Sequence, residues 1–359
     1  MPTRDASAPP CRAEAGPVLP PPRGPVSAAV LDVLRGVLDT RALELLDPFD
    51  AEGDPYGEDL QLSLYCLYEL HYRGFAEVHP RWEWDPGLLG LRAALEQSFA
   101  DALRAEVAAG DDVDAELAGL LTEPADQDGR GVSHHLLRDG QLWQLREYLV
   151  HRSLYHLKEA DPQAWVIPRL SGAVKAALVT IEHDEYGAGD PGRVHSEIFA
   201  RMLRTFRLDH TYGAYLAAAP AKTLAEVNFM SMCGLHRELR GALIGQFAAV
   251  ELTSSPGSGR LVRAMRRLGC PPEALEFYAE HVEADAVHEQ LVRRGVLTPL
   301  LSAEPELAAD VVFGIRASGL LAARLERHLL RRWAAGESSL LRPAESRPAL
   351  KFERRFENF

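Results

Sequence analysis

Two histidines and an aspartate lie at helical spacing towards the C-terminal end of the chain. His281, Asp285 and His288 occur in the stretch YAEHVEADAVHEQL. Successive residues of an α-helix are rotated by about 100°, so both histidines fall within roughly 60° of Asp285 around the helix axis. Imidazole and carboxylate ligands together suit iron. The pattern therefore indicates one wall of a metal site, although a solvated face of local His–Asp pairs would have the same spacing.

Two further glutamates and one histidine lie at positions where local sequence suggests a specific role for a polar side chain. Glu251 ends the apolar run IGQFAAVEL, where a carboxylate is costly unless it is paired or bound to a metal. Glu185 ends one helical segment and His195 begins the next, and the glycines of GAGDPG between them allow a tight reversal. These residues are the candidates for the remaining ligands.

Helical periodicity runs through most of the chain, and alternating runs of β-branched residues are nearly absent, which predicts an all-α protein. The segment LAEVNFMSMCGLHRELRGALIGQFAAVELTSSPG is predicted to be one long helix that stops at Pro256-Gly257. His134 and His135 lie in a polar, glycine-containing segment and are predicted to be in a solvated loop.

Changes in composition divide the chain into four predicted parts. Residues 1–26 hold eight prolines and are expected to be a disordered leader. We expect an N-terminal helical extension over 27–138, the metal-binding domain over 139–336 and a peripheral tail over 337–359.

Composition excludes several classes of partner. The net charge of −13, with no basic stripe, argues against nucleic acid. No apolar run is long enough to span a bilayer and no secretory signal is evident, so a cytoplasmic protein without a membrane partner is expected. The four cysteines form no C-x-x-C pair, which argues against a zinc ribbon or a disulfide framework.

From about Trp143 to Leu291, the sequence resembles the haem-oxygenase-like non-haem diiron oxidases and oxygenases, a family of iron-containing redox enzymes. The stretches that carry the resemblance are YHLKEADPQAW, IPRLSGAVKAALVTIEHDEYGAGDPGRVHSEIF, AAVEL and HVEADAVH, of which DEYGAGDPGRVHSEIF is the most specific. The family pattern is a Glu ten residues before a His, a distant Glu on a later helix, and then His-x3-Asp-x2-His.

The resemblance implies a haem-oxygenase-like seven-helix bundle with an N-terminal helical extension, which it links to a homodimer. It also implies two Fe(II) ions, O2 as co-substrate and a small organic substrate such as an amine or amino acid. N-oxygenation, C–C cleavage and oxidative decarboxylation all remain open as reactions. The positions that match the ligand pattern, with a carboxylate that only some members use given last, are Glu185, His195, Glu251, His281, Asp285, His288 and Glu159.

We divide these ligands between the ions as a hypothesis. Glu185, His195 and Glu251 would hold one iron, and Asp285 with its two flanking histidines would hold or share the other, with one carboxylate bridging. A mixed nitrogen and oxygen set without thiolates favours iron or manganese over structural zinc.

Polar residues near the ligands are given less specific interpretations. His183 and Glu182 are both expected to face solvent, with a supporting contact to the site as the alternative for Glu182. His151 and His156 are interpreted as packing or surface residues. Two other functions remain open for the whole chain, namely a haem-binding or cofactor-free protein on the same scaffold and a non-catalytic interaction module.

Overall fold

The computed structural model describes residues 16–45, 53–121 and 131–343. Within those ranges the side chains of Glu44, Leu45, Glu283, Asp285 and Ala286 are not described. The regular elements of the described residues are all helical, and these residues form no strand. The all-α prediction is therefore confirmed.

The N-terminal extension consists of helices that begin at strong start signals. Asp85 caps one of them by accepting hydrogen bonds from the backbone N–H groups of Gly87 and Leu88, and Pro86 occupies its first position. The helices of the extension are α1 (Pro25–Leu34), α2 (Glu58–Glu69), α3 (Pro86–Glu106) and α4 (Val113–Leu121).

Most of the remaining helices contribute residues to the wall of one cavity. The longest helix of this part, α11, packs against α5, α12 and α14, and a π-helical segment, Leu291–Leu297, continues α12. These helices are α5 (Val132–Arg138), α6 (Leu142–His156), α7 (Asp161–Ala164), α8 (Gly172–Glu185), α9 (His195–Thr205), α10 (Ala221–Leu235), α11 (Arg240–Arg267), α12 (Glu276–Gln290), α13 (Thr298–Ala303) and α14 (Ala308–Ala334).

Helices α11 and α14 cross at close backbone distance because glycine lies at the crossing on both. A Cβ atom on Gly245 would come within 2.0 Å of the carbonyl oxygen of Val311. A Cβ atom on Gly314 would come equally close to the carbonyl oxygen of Ala242. Only glycine permits this approach, which fixes α14 against the helix that carries Glu251.

The prediction of one continuous helix that stops at Pro256 is wrong in both respects, because the helix is interrupted and it continues past Pro256. The chain leaves the helical conformation at His236, whose φ and ψ are −99° and 118°, and α11 starts afresh at Arg240. The Nε2 atom of His236 lies 2.9 Å from Oε2 of Glu96 on α3, so the break places His236 against the extension. Pro256 lies inside α11, where it removes one backbone hydrogen bond without ending the helix.

The predicted loop around His134 and His135 is also wrong, because these residues lie in α5. Val132 and Leu136, one turn apart, are both buried and belong to one hydrophobic cluster with parts of α11 and α14. The carboxylate of Glu326 accepts the backbone N–H of Val132 at 2.8 Å and satisfies the start of the helix.

The described ends of the chain are packed. Residues 16–24 of the expected leader lie against the extension, where Arg23 pairs with Glu58 at 2.8 Å, and Pro25 already begins α1. At the other end, Ser339 is buried and its hydroxyl bonds to Glu147 at 2.6 Å, so the start of the expected tail is part of the fold. Residues 1–15 and 344–359 lie outside the described residues.

The extension and the helices from α5 onwards share packing. One hydrophobic cluster contains residues of α1–α4 together with residues of α8, α10, α11 and α14. Among the described helices, none combines the length and apolarity needed to cross a bilayer.

Candidate metal centre

Six of the seven predicted ligands have described side chains, and all six are buried. The tight connection from α8 to α9 brings two of them together, as the sequence predicted. Gly187 in this connection has a φ of +75°, and a Cβ atom there would lie 2.6 Å from the backbone nitrogen of Val194. Glycine is therefore required for the reversal. The six residues are Glu159, Glu185, His195, Glu251, His281 and His288.

One group of possible ligands contains Glu159, Glu185, His195 and His281, whose ligand atoms all lie within 4.8 Å of one another. The Nδ1 atom of His195 is 2.6 Å from Oε2 of Glu185. The Nε2 atom of His281 is 3.8 Å from Oε1 of Glu159. Two carboxylates and two imidazoles thus converge from α8, α9, α12 and the turn after α6.

A second group contains Glu185, Glu251 and His288, again with ligand atoms within 4.8 Å of one another. The Nδ1 atom of His288 is 3.2 Å from Oε2 of Glu251 and 3.7 Å from Oε1 of Glu185. Glu185 belongs to both groups and offers one oxygen to each, Oε2 towards His195 and Oε1 towards His288. This is the arrangement expected of a carboxylate that bridges two ions.

The grouping differs from the division expected from the sequence. His195 and Glu251 fall in different groups, and so do His281 and His288. Seven residues separate the two histidines, which is about two helical turns, or roughly 10 Å along α12. One helix therefore serves both groups. Asp285 lies between these histidines on α12, but its side chain is outside the described residues.

The orientation of His281 suits a metal ligand. Its Nδ1 lies 2.7 Å from the carbonyl oxygen of Phe277, to which only a protonated nitrogen can donate. In the neutral ring this leaves the lone pair on Nε2, the nitrogen nearer to Glu159. Histidine ligands of metal ions usually donate their other ring nitrogen in this way.

Proton affinities in the two groups reflect their high density of negative charge. Burial acts to lower the pKa of His288, but its hydrogen bond with Glu251 and the nearby carboxylate charges raise it to about 9. Burial likewise opposes the charged form of His195, and contact with Glu185 raises its pKa. Burial favours the neutral form of Glu159, yet the neighbouring histidines hold its pKa well below the usual range. Positive charge is therefore favoured in both groups.

Several atoms of the site are buried without hydrogen bonds. Oε2 of Glu159, Oε2 of Glu185 and Nδ1 of His195 have no hydrogen-bond partner, although the last two lie close together. Leaving such groups unsatisfied is costly unless something else binds them. A cation between these atoms would satisfy all three, and the mixed set of nitrogen and oxygen donors fits iron.

The site opens onto a cavity of about 410 Å³. Glu159, Glu185, Glu251 and His281 form part of its wall. Much of the remaining wall is apolar and comes from α10, α11 and α14, including Phe229, Phe247, Ile315, Leu321 and Leu325. The volume suits a small organic molecule next to the candidate ligands.

Two neighbours of the ligands differ from their sequence-based interpretation. Glu182 was expected to face solvent but is 2% exposed and lines the cavity. His156 is a contact of the site, since its Nδ1 lies 2.8 Å from Oε1 of Glu159. Helical spacing gave a supporting contact as the alternative for Glu182, which is one turn before Glu185, but it did not indicate the burial of this residue. His183 is exposed, as expected.

Comparison with known proteins agrees with these features. Residues 146–323 match a family model described as an iron-containing redox enzyme. A nitrosourea synthase from Streptomyces achromogenes subsp. streptozoticus is 23% identical over 171 residues, which cover 47% of this chain and 36% of that protein. The chain thus matches little more than a third of the relative's length.

The match to the family model extends from α6 into α14 and includes every candidate ligand in both groups. It agrees with the haem-oxygenase-like, all-α fold predicted from the sequence. Through residues 146–323, the chain is similar to the family of iron-containing redox enzymes.

Proposed function

We propose that this protein is a non-haem diiron oxygenase that uses O2 to oxidise a small organic amine. The observation that carries the proposal is the pair of ligand groups that share Glu185 and open onto the cavity. A single metal site would need only one of these groups. A haem-binding protein would not need a wall of carboxylates.

In the first site, iron would be held by the carboxylates of Glu159 and Glu185 and the imidazoles of His195 and His281. In the second, it would be held by Glu185, Glu251 and His288, with Asp285 as a further ligand expected from the sequence. A ferrous pair supplies the electrons that activate O2, and carboxylate oxygens suit the oxidised metal that results.

Other residues of the protein orient the candidate ligands and enclose the cavity. The hydrogen bond to the Phe277 carbonyl holds the ring of His281, and His156 holds Glu159. The apolar walls from α10, α11 and α14 would exclude bulk water from the substrate, which strengthens electrostatic interactions within the cavity.

The proposed substrate class has support from the relative, which is named for the synthesis of a nitrosourea. A nitrosourea contains an oxidised nitrogen, so the reaction that we favour is N-oxygenation. In that reaction an amine, O2, two protons and two electrons give a hydroxylamine and water. Two bound ferrous ions would supply the two electrons, and an external reductant would have to restore them.

Anaerobic loading with Fe(II) followed by rapid mixing with O2 tests the proposal. We expect the wild-type protein to bind iron and to develop absorbance from oxidised iron. His281→Ala and Glu251→Ala should weaken iron binding and reduce this signal. The matched control is His183→Ala, an exposed position on α8, which should behave as wild type. Absence of iron binding by the wild type, or an unchanged signal in both ligand variants, would contradict the proposal.

A further inference from the structure

Several buried polar atoms in the cavity wall lack partners although they belong to none of the candidate ligands. Unpaired polar groups of this kind are rare in protein interiors, because each loses its hydrogen bonds to water on burial. When they cluster in one cavity, they indicate a polar ligand or ordered water. The atoms are Oε1 of Gln163, both carboxylate oxygens of Glu182, Nε2 of Gln246, the hydroxyl oxygen of Tyr278 and Oγ of Ser318.

Glu182 is the most strongly unsatisfied of these residues. It lies one helical turn before Glu185 on α8, is 2% exposed, and neither of its oxygens has a hydrogen-bond partner. Burial, followed by the charges of Glu185 and Glu251, raises its pKa to about 9. A carboxyl group in such a place destabilises the fold unless a cation or a donor binds it.

The metal groups do not account for Glu182. Neither group of mutually close ligand atoms among the described residues includes it. It nevertheless lines the same cavity as Glu185 and Glu251. Its carboxyl group is therefore available to whatever occupies the cavity beside the metal centre.

The other charged groups of the cavity wall balance one another, so a cationic occupant would find its counter-charge in Glu182, whose ionised form it would favour. Glu226 forms an ion pair with Arg152 at 3.0 Å, and Glu326 accepts the backbone N–H of Val132. Apart from the candidate ligands, the wall carries two guanidinium groups, those of Arg152 and Arg260. It carries three carboxyl groups, those of Glu182, Glu226 and Glu326. Glu182 supplies the excess carboxyl group.

A glutamine pair adds a further acceptor. Nε2 of Gln163 donates to Oε1 of Gln246 at 3.3 Å, which leaves the carbonyl of Gln163 and the amide of Gln246 unmatched. Exchanging the oxygen and nitrogen of both side chains would still leave one acceptor and one donor. A protonated nitrogen has several N–H groups, so it can bond to a carboxylate and an amide carbonyl together.

We propose that Glu182 binds the cationic nitrogen of the substrate, an ammonium or guanidinium group, and holds it beside the metal centre. This inference rests on the proposed function and deepens it, because it places a nitrogen atom next to the site of O2 activation. The acceptor left on the glutamine pair lies in the same cavity and provides a second contact. A neutral molecule of equal size could at most donate a hydrogen bond and would not balance the charge of an ionised Glu182.

Calorimetric titration of the anaerobic, iron-loaded protein tests the inference with n-pentylammonium and the neutral, similarly sized pentan-1-ol. The wild type should bind the ammonium compound at least about ten-fold more tightly, as expected for a charge-assisted hydrogen bond. Glu182→Gln should remove this preference while iron stoichiometry stays unchanged. His183→Gln, at the exposed neighbouring position, should retain both properties.

The possible failures are distinguishable. No iron in the wild type would contradict the proposed function and this inference together. Iron bound normally, with the ammonium preference unchanged in Glu182→Gln, would overturn the role of Glu182 alone. Loss of iron in Glu182→Gln would also overturn it, because Glu182 would then be a ligand.

A stability measurement separates substrate binding from a structural role. In the metal-free protein, Glu182→Leu should raise the midpoint of thermal unfolding, because it removes an unsatisfied buried carboxyl group. If Glu182 were needed for the fold, the same substitution would lower the midpoint.

Discussion

The adjacent residues Lys158 and Glu159 belong to two different buried polar clusters. The clusters differ in how completely their polar groups are paired. Lys158 binds Oε2 of Glu69 at 2.8 Å, and the hydroxyl of Tyr212 donates to both oxygens of Glu69, at 2.8 and 2.9 Å. The Lys158 ammonium also lies over the rings of Tyr65 and Tyr72. This cluster joins the extension to the metal-binding region and is complete in itself.

The cluster that Glu159 enters is incomplete. It gathers four acidic side chains when Glu182 is included, and unpaired oxygens remain on Glu159, Glu182 and Glu185. Burial is similar in the two clusters, since Glu69 is 0% exposed and Glu185 is 7% exposed. Burial of charge alone therefore does not mark the functional site. The distinguishing feature is that several atoms lack internal partners, which a metal and a substrate would supply.

The largest effect that we predict concerns the complete cluster. Lys158→Met leaves the carboxylate of Glu69 buried without its cation, so the free energy of unfolding should fall by about 3–5 kcal/mol. Urea denaturation measures this loss. Arg193→Ala, which breaks the exposed pair with Glu280, is the control and should cost no more than about 1 kcal/mol. Equal losses in the two variants would remove the distinction between the clusters.

A smaller effect is predicted for the contact that positions Glu159. His156→Phe removes the donor to Oε1 of Glu159, so the iron held by Glu159 and His281 should bind about 10–100-fold more weakly. Competition with a chelator under anaerobic conditions measures the affinity. His151→Phe lies on the same helix, contacts Thr223 and Ser339 instead, and should leave the affinity unchanged. Unchanged affinity in His156→Phe would contradict the positioning role.

The pH dependence of the metal-free protein should sharpen the contrast further. The pKa of His288 is raised to about 9 in the folded protein, whereas the pKa of a histidine in the unfolded chain is about 6.5. Its contribution to stability is therefore complete below pH ~6.5 and lost as the pH rises to about 9. Urea denaturation at several pH values should show this decline, and His288→Gln should reduce it. A profile that rises over this range would contradict the assignment.

Iron binding should show the opposite trend over the same range. Iron must displace the proton of His288, so its affinity for the second group should increase as the pH rises from about 6.5 to about 9. Chelator competition at each pH measures this change. Affinity independent of pH would indicate that His288 is not a ligand.

Much of the fold could be predicted from the sequence, because helical periodicity is a local property. The errors occurred where packing decided the outcome. At the break, His236 contacts Glu96, which is distant in sequence. Pro256 remains inside α11, although local preference predicted that the helix would end there. The helix α5 is stabilised by Glu326, also distant in sequence.

The sequence proposed the members of the candidate site but not its geometry. Family resemblance supplied the ligand set, and the structure brings its six described members together in two groups. The sharing of Glu185 and the burial of Glu182 depend on the rotation of α8 about its axis relative to the cavity. A single sequence does not specify that rotation. The contact between His156 and Glu159 lies in the turn that follows α6.

The central claim is that two iron ions share Glu185, and iron stoichiometry in three matched variants tests it most directly. Each variant and the wild type would be loaded anaerobically with Fe(II), and bound iron would be measured across a range of free iron concentrations. We predict two ions per wild-type chain, loss of one tight site in Glu159→Ala or Glu251→Ala, and weakening of both sites in Glu185→Ala. A single ion in the wild type, or a Glu185→Ala variant that loses no more iron than the other two, would contradict the account.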